Sequence, residues 1–103
     1  MSFKAIILLT RATDATHEQF ADWWLKKHAP LAKQLPELRR GVFNLVENPA
    51  EGDPDGVSEL WFDTQSDFEA AYASEIGKAV VADSLSNVSG RRRMFVVENT
   101  IHS

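Results

Sequence analysis

The chain contains no cysteine. That excludes disulfides, thiolate nucleophiles and thiolate-bound metals, and it fits a reducing cytoplasm. Glycine is sparse, and none of the five stands in a Gly-x-Gly-x-x-Gly or phosphate-cradling loop. The three histidines form no His-Glu-x-x-His: His17 and His28 are eleven apart, and His102 lies near the C-terminus. Neither a metal nor another cofactor is expected from such a set. Positive charge is not in excess. Lys and Arg number 11 against 15 Asp and Glu, a net charge of −4, which argues against nucleic acid or an anionic membrane as the main partner. The longest apolar run, Ala5 to Leu9, is far too short to span a bilayer and is soon ended by Arg11. It lacks the small-residue cleavage site of a signal peptide and reads as a strand.

What is present is an ordinary globular composition. With 44% hydrophobic and 25% charged residues in a chain of 103, one domain over residues 1–103 is expected. Such a domain buries about two-thirds of its unfolded surface and needs no staples. No repeat, linker or low-complexity tract interrupts it. Phe3 to Arg11 is apolar on both parities, the pattern of a strand covered on both faces. Thr16-His-Glu-Gln19 has the form of a capping box, and the helix it opens runs to about Leu35, before Pro36. Pro30 removes a backbone donor and predicts a kink or break near Lys26–Ala29. Leu38 to Glu47 reads as a second strand, with Gly41 marking a bulge or a close approach. A loop around Pro54-Asp-Gly56 follows, then a third strand, Val57 to Asp63. Ser66-Asp-Phe-Glu69 reads as a second capping box. Its helix turns Phe68, Tyr72, Ile76, Val80 and Val81 to the core and is thin enough to break at Ala73–Gly77. Arg92 to Ile101 reads as the last strand.

Strand, helix, strand, strand, helix, strand, joined by right-handed crossovers, gives an α+β, ferredoxin-like βαββαβ fold. Its four-stranded sheet is antiparallel, and both helices lie on one face. The helices cover that face alone, yet the first and last strands are apolar on both parities. A second copy packed sheet to sheet is the simplest cover, so a two-fold homodimer is expected, with Trp61 or Phe62 at its interface according to register.

Within the first helix, Phe20, Trp24, His28, Leu31 and Leu35 recur at spacings of four, four, three and four, which sets them on one side. Four of them belong in a core. The fifth is a titratable ring one turn from a tryptophan. One account is a histidine that merely packs, bonded to a backbone carbonyl or a carboxylate. The chemical account is a general acid/base, since an imidazole of ordinary pKa, about 6.5, both takes and gives a proton at neutral pH. Its place would be a cleft between helix and sheet, walled by Trp24 and suited to a small, mostly apolar organic molecule. Glu59 is either an ion-pair partner of Arg11, Arg39 or Arg40, or a carboxylate that orients His28. Arg11 and Arg40 are candidates for an anionic substrate group, and Asn44 and Tyr72 for further polar contacts, each set against a structural role. Trp23 lies about 100° round the helix from Trp24, at the core margin or against a partner subunit. Arg91-Arg-Arg93 reads as a solvated strand entry. No serine or threonine is visibly paired with a base.

Several of these segments together resemble the EthD family of small dimeric α/β-barrel proteins. They are Arg11, Phe20-x-x-Trp23-Trp24-x-x-x-His28-Ala-Pro30-Leu31, Leu35-Pro36-x-Leu38-Arg39-Arg40, and Glu59-Leu-Trp61-Phe62-Asp63 with Phe68. The resemblance covers most of the chain. It implies the fold reached above and a homodimer whose two sheets form a barrel. It implies less about activity. Members are associated with bacterial degradation of ethers and aromatic compounds, with fungal polyketide tailoring and, in one related branch, with muconolactone isomerisation. The broader superfamily includes cofactor-free monooxygenases and haem-dependent enzymes. Haem ligation by His28 has that precedent, but the chain is small for a closed haem pocket. Gly41 stands where an aromatic residue is often expected after the arginines, which implies a larger or differently shaped pocket.

The expected function is the handling of a small organic molecule, aromatic, ether or lactone in type, in catabolism or secondary metabolism. The chemistry would be that of a cofactor-independent oxidoreductase or isomerase, with His28 as acid/base. Two readings compete: a non-enzymatic accessory that binds a hydrophobic intermediate or an oxidase component, and a dimer scaffold whose cleft is filled by its own side chains. An open cleft and a carboxylate partner at His28 would favour the enzyme.

Overall fold

Apolar on both parities, Phe3–Arg11 forms β1 and takes an inner position in the sheet. The computed structural model, which describes residues 2–103, shows a four-stranded sheet in the order β2-β3-β1-β4 with every pair antiparallel. Along the chain, β1 is followed by α1 (His17–Trp23), a π turn (Trp24–His28), α2 (Ala29–Ala32), β2 (Arg40–Leu45), β3 (Gly56–Phe62), α3 (Gln65–Ala73), α4 (Glu75–Asn87) and β4 (Val88–Val96). This is the expected α+β, ferredoxin-like arrangement. Among the described residues no helix is long and apolar enough to cross a membrane.

Register sorts the side chains. Ala5 lies beside Leu60 and Phe95, Ile7 beside Ser58 and Arg93, and Leu9 beside Gly56 and Arg91. These residues share the helix side, where Ala5, Ile7, Leu9, Leu60 and Phe62 pack with Phe20, Trp24, Phe68 and Val80 in the core. The alternate residues Lys4, Ile6, Leu8, Val57, Glu59, Trp61 and Met94 face the other way. Phe62 therefore belongs to the core, and Trp61 to the open face.

The capping box at Thr16 and Gln19 forms as expected. At Pro30 the helix neither breaks nor stops. The Ala29 N–H donates to the Trp24 carbonyl, five residues back, and Trp24–His28 is a π turn. Phe20, Trp24, His28, Ala32 and Leu35 are buried, whereas Leu31 is half-buried. An α-helix drifts about 40° for every four-residue step, and the wider π turn takes up that drift. Ala32 rather than Leu31 thus continues the buried stripe.

Other boundaries depart from expectation in part, and β2 is shorter than the expected Leu38 to Glu47. Thr64, not Ser66, caps the second helix, its hydroxyl accepting the Asp67 N–H at 3.1 Å from an extended backbone that a residue inside the first turn does not have. The expected break comes at Ser74, which ends α3 and caps α4. The last strand is Val88–Val96, not Arg92–Ile101. Its pairing with β1 runs from Arg11↔Val88 to Lys4↔Val96, and beyond Val96 that edge of β1 has no partner to offer. Arg91–Arg93 accordingly lie inside the strand rather than at its solvated entry.

Trp24 is fully buried, stacked at 4.4 Å and 10° on Phe43 and 5.3 Å from Phe20. Its ring lies over Gly56, where an added Cβ would fall 2.6 Å from it. A ring so enclosed cannot swing away. Gly56→Ala is therefore expected to cost about 1–3 kcal/mol, read as a lower Tm in thermal unfolding. An unchanged Tm would show that Trp24 is not held as described.

Candidate active site around His28

The helix that carries the π turn and α4 meet at one histidine. His28 ends the π turn and is buried at 4% exposure. Helix α4 presents two consecutive residues to it. The His28 Nδ1 lies 2.8 Å from Asp83 Oδ2, and Nε2 lies 3.2 Å from Ser84 Oγ. An ionised carboxylate can only accept, so Nδ1 carries the proton and Nε2 keeps a lone pair that accepts the Ser84 hydroxyl. Asp83 is itself held. Its other oxygen accepts the Trp23 indole N–H at 3.3 Å, and Asn87 donates to its carbonyl at 2.8 Å. The imidazole packs between Trp23, 4.9 Å away, and Phe43, 6.1 Å away.

Burial lowers the His28 pKa below its ordinary 6.5; the Asp83 hydrogen bond and charge oppose this, and the Arg91 charge adds to the lowering. The imidazole is therefore neutral at pH 7, poised to accept a proton at Nε2. Beside it is a cavity of about 10 Å³, into which Ser58, Tyr72, Ser84 and Arg91 project from sheet and helices. It has room for about one water. Burial raises the Tyr72 pKa, and the Arg91 guanidinium partly offsets that.

Trp24 does not wall an open cleft, as expected from the sequence. Its stack on Phe43 fills that space, and its buried Nε1 has no partner among the described residues. The open space lies farther along, as a groove of about 560 Å³ between α2 and β2. Ala32, Phe43 and Leu60 line both the groove and the small cavity.

Of the residues singled out in the sequence, His28, Trp24 and Tyr72 gather on the helix side. Glu59, Asn44 and Arg40 do not join them, because strand parity puts them on the open sheet face. There Glu59 accepts from Lys4 Nζ at 2.8 Å and from Asn44 Nδ2 at 3.0 Å, so its ion-pair partner is a lysine rather than an arginine. The Lys4 hydrogen bond holds the Glu59 carboxyl below its usual range, and Glu59 raises Lys4 in return. Arg40 lies over the Trp61 ring at 4.6 Å. Arg11 stands apart from both groups. Its backbone N–H and its Nη1 each donate to the buried Asp55 at 2.8 Å, and His17 meets the same carboxylate at 2.7 Å. Burial pushes the Asp55 carboxyl up, but these hydrogen bonds outweigh it and hold it below its usual range. Arg11 is a structural clamp on the loop before β3.

Asp83, Ser84 and Asp55 were not singled out, and Arg91, read as part of a solvated strand entry, borders the cavity instead. Ser84 carried a signal, since it follows Gly77 and Val80 on the buried stripe of α4, where a polar side chain wants a partner. Contrary to expectation, this serine is paired with a base. Asp83, His28 and Ser84 stand in the order carboxylate, imidazole, hydroxyl. Yet Ser84 is buried inside α4, whose backbone N–H groups are committed to the helix, so no oxyanion donors accompany it. It serves as the donor that fixes the Nε2 lone pair. Among the described residues no three His, Cys, Asp or Glu side chains gather closely enough to hold a metal ion.

The histidine is testable by titration. Its NMR pKa is expected below 6.5, and Asp83→Asn is expected to lower it further by removing the partner that favours the charged ring. The unfolded chain then takes up the proton before the folded one does. Stability tied to His28 is whole above about pH 6.5 and declines as pH falls toward the folded value. A His28 pKa at or above 6.5 in the folded protein would contradict the burial account.

The sequence and the fold have counterparts in known proteins. A protein of 11.0 kDa from Rhodococcus erythropolis, described as uncharacterized and encoded in the thcB-thcC intergenic region, is 28% identical over 86 residues, 80% of this chain and 82% of that protein. The crystal structure of an ethyl tert-butyl ether D (EthD) family protein from Bacillus halodurans has a TM-score of 0.80 at 22% identity, covering 96% of this chain and all of that one (100%). A dimeric ferredoxin-like protein of unknown function from Thermobifida fusca has a TM-score of 0.77 at 19% identity, covering 95% and 92%. The same fold recurs in SnoaB, a cofactor-independent oxygenase from Streptomyces nogalater, with a TM-score of 0.70 at 12% identity, covering 99% and 98%. At these identities the structural likeness is one of fold. The family pattern described as the EthD domain matches residues 12–88, more than half of the 103. The chain belongs to the EthD domain family.

Proposed function

We propose that the protein is a cytoplasmic, homodimeric enzyme that removes a proton from a small organic substrate without a cofactor, with His28 as the base. The observation that carries this is the Asp83–His28–Ser84 arrangement, a buried neutral imidazole whose Nδ1 proton is fixed by a carboxylate and whose Nε2, hydrogen-bonded by the Ser84 hydroxyl, borders a small cavity of mixed lining. Abstraction of an acidic C–H or O–H proton by Nε2 leaves an anion on the substrate and an imidazolium held by Asp83. Return of the proton at another carbon completes an isomerisation. Transfer of electrons from the anion to molecular oxygen begins an oxygenation. The cofactor-independent oxygenase SnoaB, of the same fold, supports the second course. Tyr72 and Arg91, on the same cavity, are suited to stabilise the substrate oxyanion.

The dimer is part of this reading. Ile6, Leu8, Val42, Val57 and Met94 leave a half-buried apolar band on the open sheet face around the Lys4–Glu59 pair. The dimeric ferredoxin-like protein of T. fusca supports a partner there.

The alternative, an accessory that binds a small molecule without changing it, draws on one observation, the small size of the cavity before Nε2. Solvent-deuterium exchange and oxygen uptake separate the two, measured on a panel of electron-rich phenols, anthrones and unsaturated lactones. Turnover of a panel member is expected, with His28→Asn lowering it by about 10²–10⁴-fold. Full activity in a folded His28→Asn dimer would remove the acid/base role. Light scattering at micromolar concentration is expected to give twice the 11.5 kDa chain mass, and Leu8→Glu to give a monomer. A wild-type monomer would refute the sheet-to-sheet pairing.

A further inference from the structure

We propose that the groove between α2 and β2 binds the substrate, and that it selects a flat, apolar molecule bearing a carboxylate or a comparably acidic oxygen. This deepens the reading of His28 and rests on it, because groove and His28 cavity share the walls Ala32, Phe43 and Leu60.

At about 560 Å³ the groove falls within the range of small-molecule sites. Its apolar walls are cut back where α2 meets the sheet edge. Ala29 and Ala32 face it from the helix, and Gly41 from β2. The fold does not require glycine at that position. Gly41 has no positive φ, and an added Cβ would make only ordinary contacts, 3.6 Å from Leu38 and 3.6 Å from Leu60. A larger side chain there would stand in the groove. The absent side chain is therefore what keeps the space open, and Gly41 sets the width of the molecule admitted.

The rim supplies the charge preference. Lys33, Arg39 and Arg40 border it in a chain of net charge −4, the Arg40 side chain turned to the open sheet face. Two of the three are engaged. Arg39 is paired with Asp63 at 3.0 Å and Glu37 at 3.3 Å, and Arg40 lies over Trp61 at 4.6 Å. Lys33 makes no ion pair among the described residues and is the cation left for a ligand. An acid group held at Lys33 directs the apolar body inward along Ala29 and Ala32, toward Phe43. That half-buried ring separates groove from cavity, stacked on Trp24 and 6.1 Å from His28. Rotation of Phe43 joins the two spaces and brings the substrate to Nε2.

The test titrates the whole protein with 2-naphthoate and with its neutral methyl ester, followed by tryptophan fluorescence and by amide shifts. The acid is expected to saturate, to bind at least about tenfold tighter than the ester, and to shift Ala32, Lys33 and Gly41. Gly41→Leu and Lys33→Glu are each expected to weaken the acid by about tenfold or more. Lys33 is exposed, so its variant keeps the fold and answers even where a groove-filling side chain does not. Equal affinity for acid and ester, or no saturable binding of the acid, overturns the substrate class. Unchanged affinity in Lys33→Glu overturns the anchor, and shifts confined to the open sheet face overturn the location. His28→Asn is expected to leave binding within about twofold. Binding that survives in a His28→Asn protein of full activity would therefore remove the base and keep the groove.

Discussion

A proline with no N–H to give, set in the middle of the first helix, is the constraint on which the rest of the molecule turns. The chain must pass Pro30 and still bury Trp24 before it and Ala32 and Leu35 after it. An unbroken α-helix with inward residues every four positions would rotate away from the sheet by about 120° over three such steps. The π turn resolves both problems at once. It takes the Ala29 N–H to a carbonyl five residues back, and it turns the helix less per residue just where the four-residue spacing needs it. Because of it His28 reaches α4, while Trp24 lies flat on Phe43 and over Gly56.

The sheet divides the polar groups into two environments that do not communicate. On the open face, Lys4, Glu59 and Asn44 satisfy one another at 2.8–3.0 Å. Opposite charges that hold each other ionised in this way are poor proton carriers near neutrality, since each shifts the other away from pH 7. On the helix face the balance is reversed. Burial works against the charged ring of His28, and the single carboxylate at Nδ1 only partly opposes it. A group in that position takes up a proton against the cost of burial, a cost that Asp83, already facing it, reduces. The proposed proton chemistry therefore belongs to the helix face, and the open face is suited to specifying a partner's register.

Much of this was legible in the sequence, for definite reasons. Two-sided apolarity in Phe3–Arg11 marked a strand covered on both faces, and parity alone fixed which residues share a face once register was known. The histidine on the apolar stripe was visible because periodicity identifies a misfit. Its partners were not visible in the same way. Asp83 and Ser84 lie 55 and 56 residues away, joined to His28 by tertiary packing that no local pattern encodes. Glu59 shows the converse failure. It looked like a partner for His28 because both are titratable and covered, yet a one-residue difference of parity put the sheet between them. Arg91 was misread for a related reason. Three arginines in a row suggest solvent, but alternation turns Arg91 and Arg93 to the helix side, where Arg93 lies 4.7 Å from the Phe95 ring and Arg91 borders the cavity.

The small cavity and the proposed chemistry are reconciled by the energetics of one ring. Phe43 lines both the groove and the His28 cavity and stacks on Trp24, an arrangement worth about 0.5–1.5 kcal/mol beyond burial. If rotation forfeits that stack, the open form is scarcer and apparent affinity falls by roughly two- to tenfold. An aromatic substrate can restore the loss by taking the place of the displaced ring against Trp24, whereas an aliphatic one of equal size cannot. On the proposed reading, the same ring favours flat substrates over round ones, before any polar group is read. In the proposed site, discrimination by shape then falls to Phe43 and Gly41, and discrimination by charge to Lys33, beside an imidazole that burial keeps neutral.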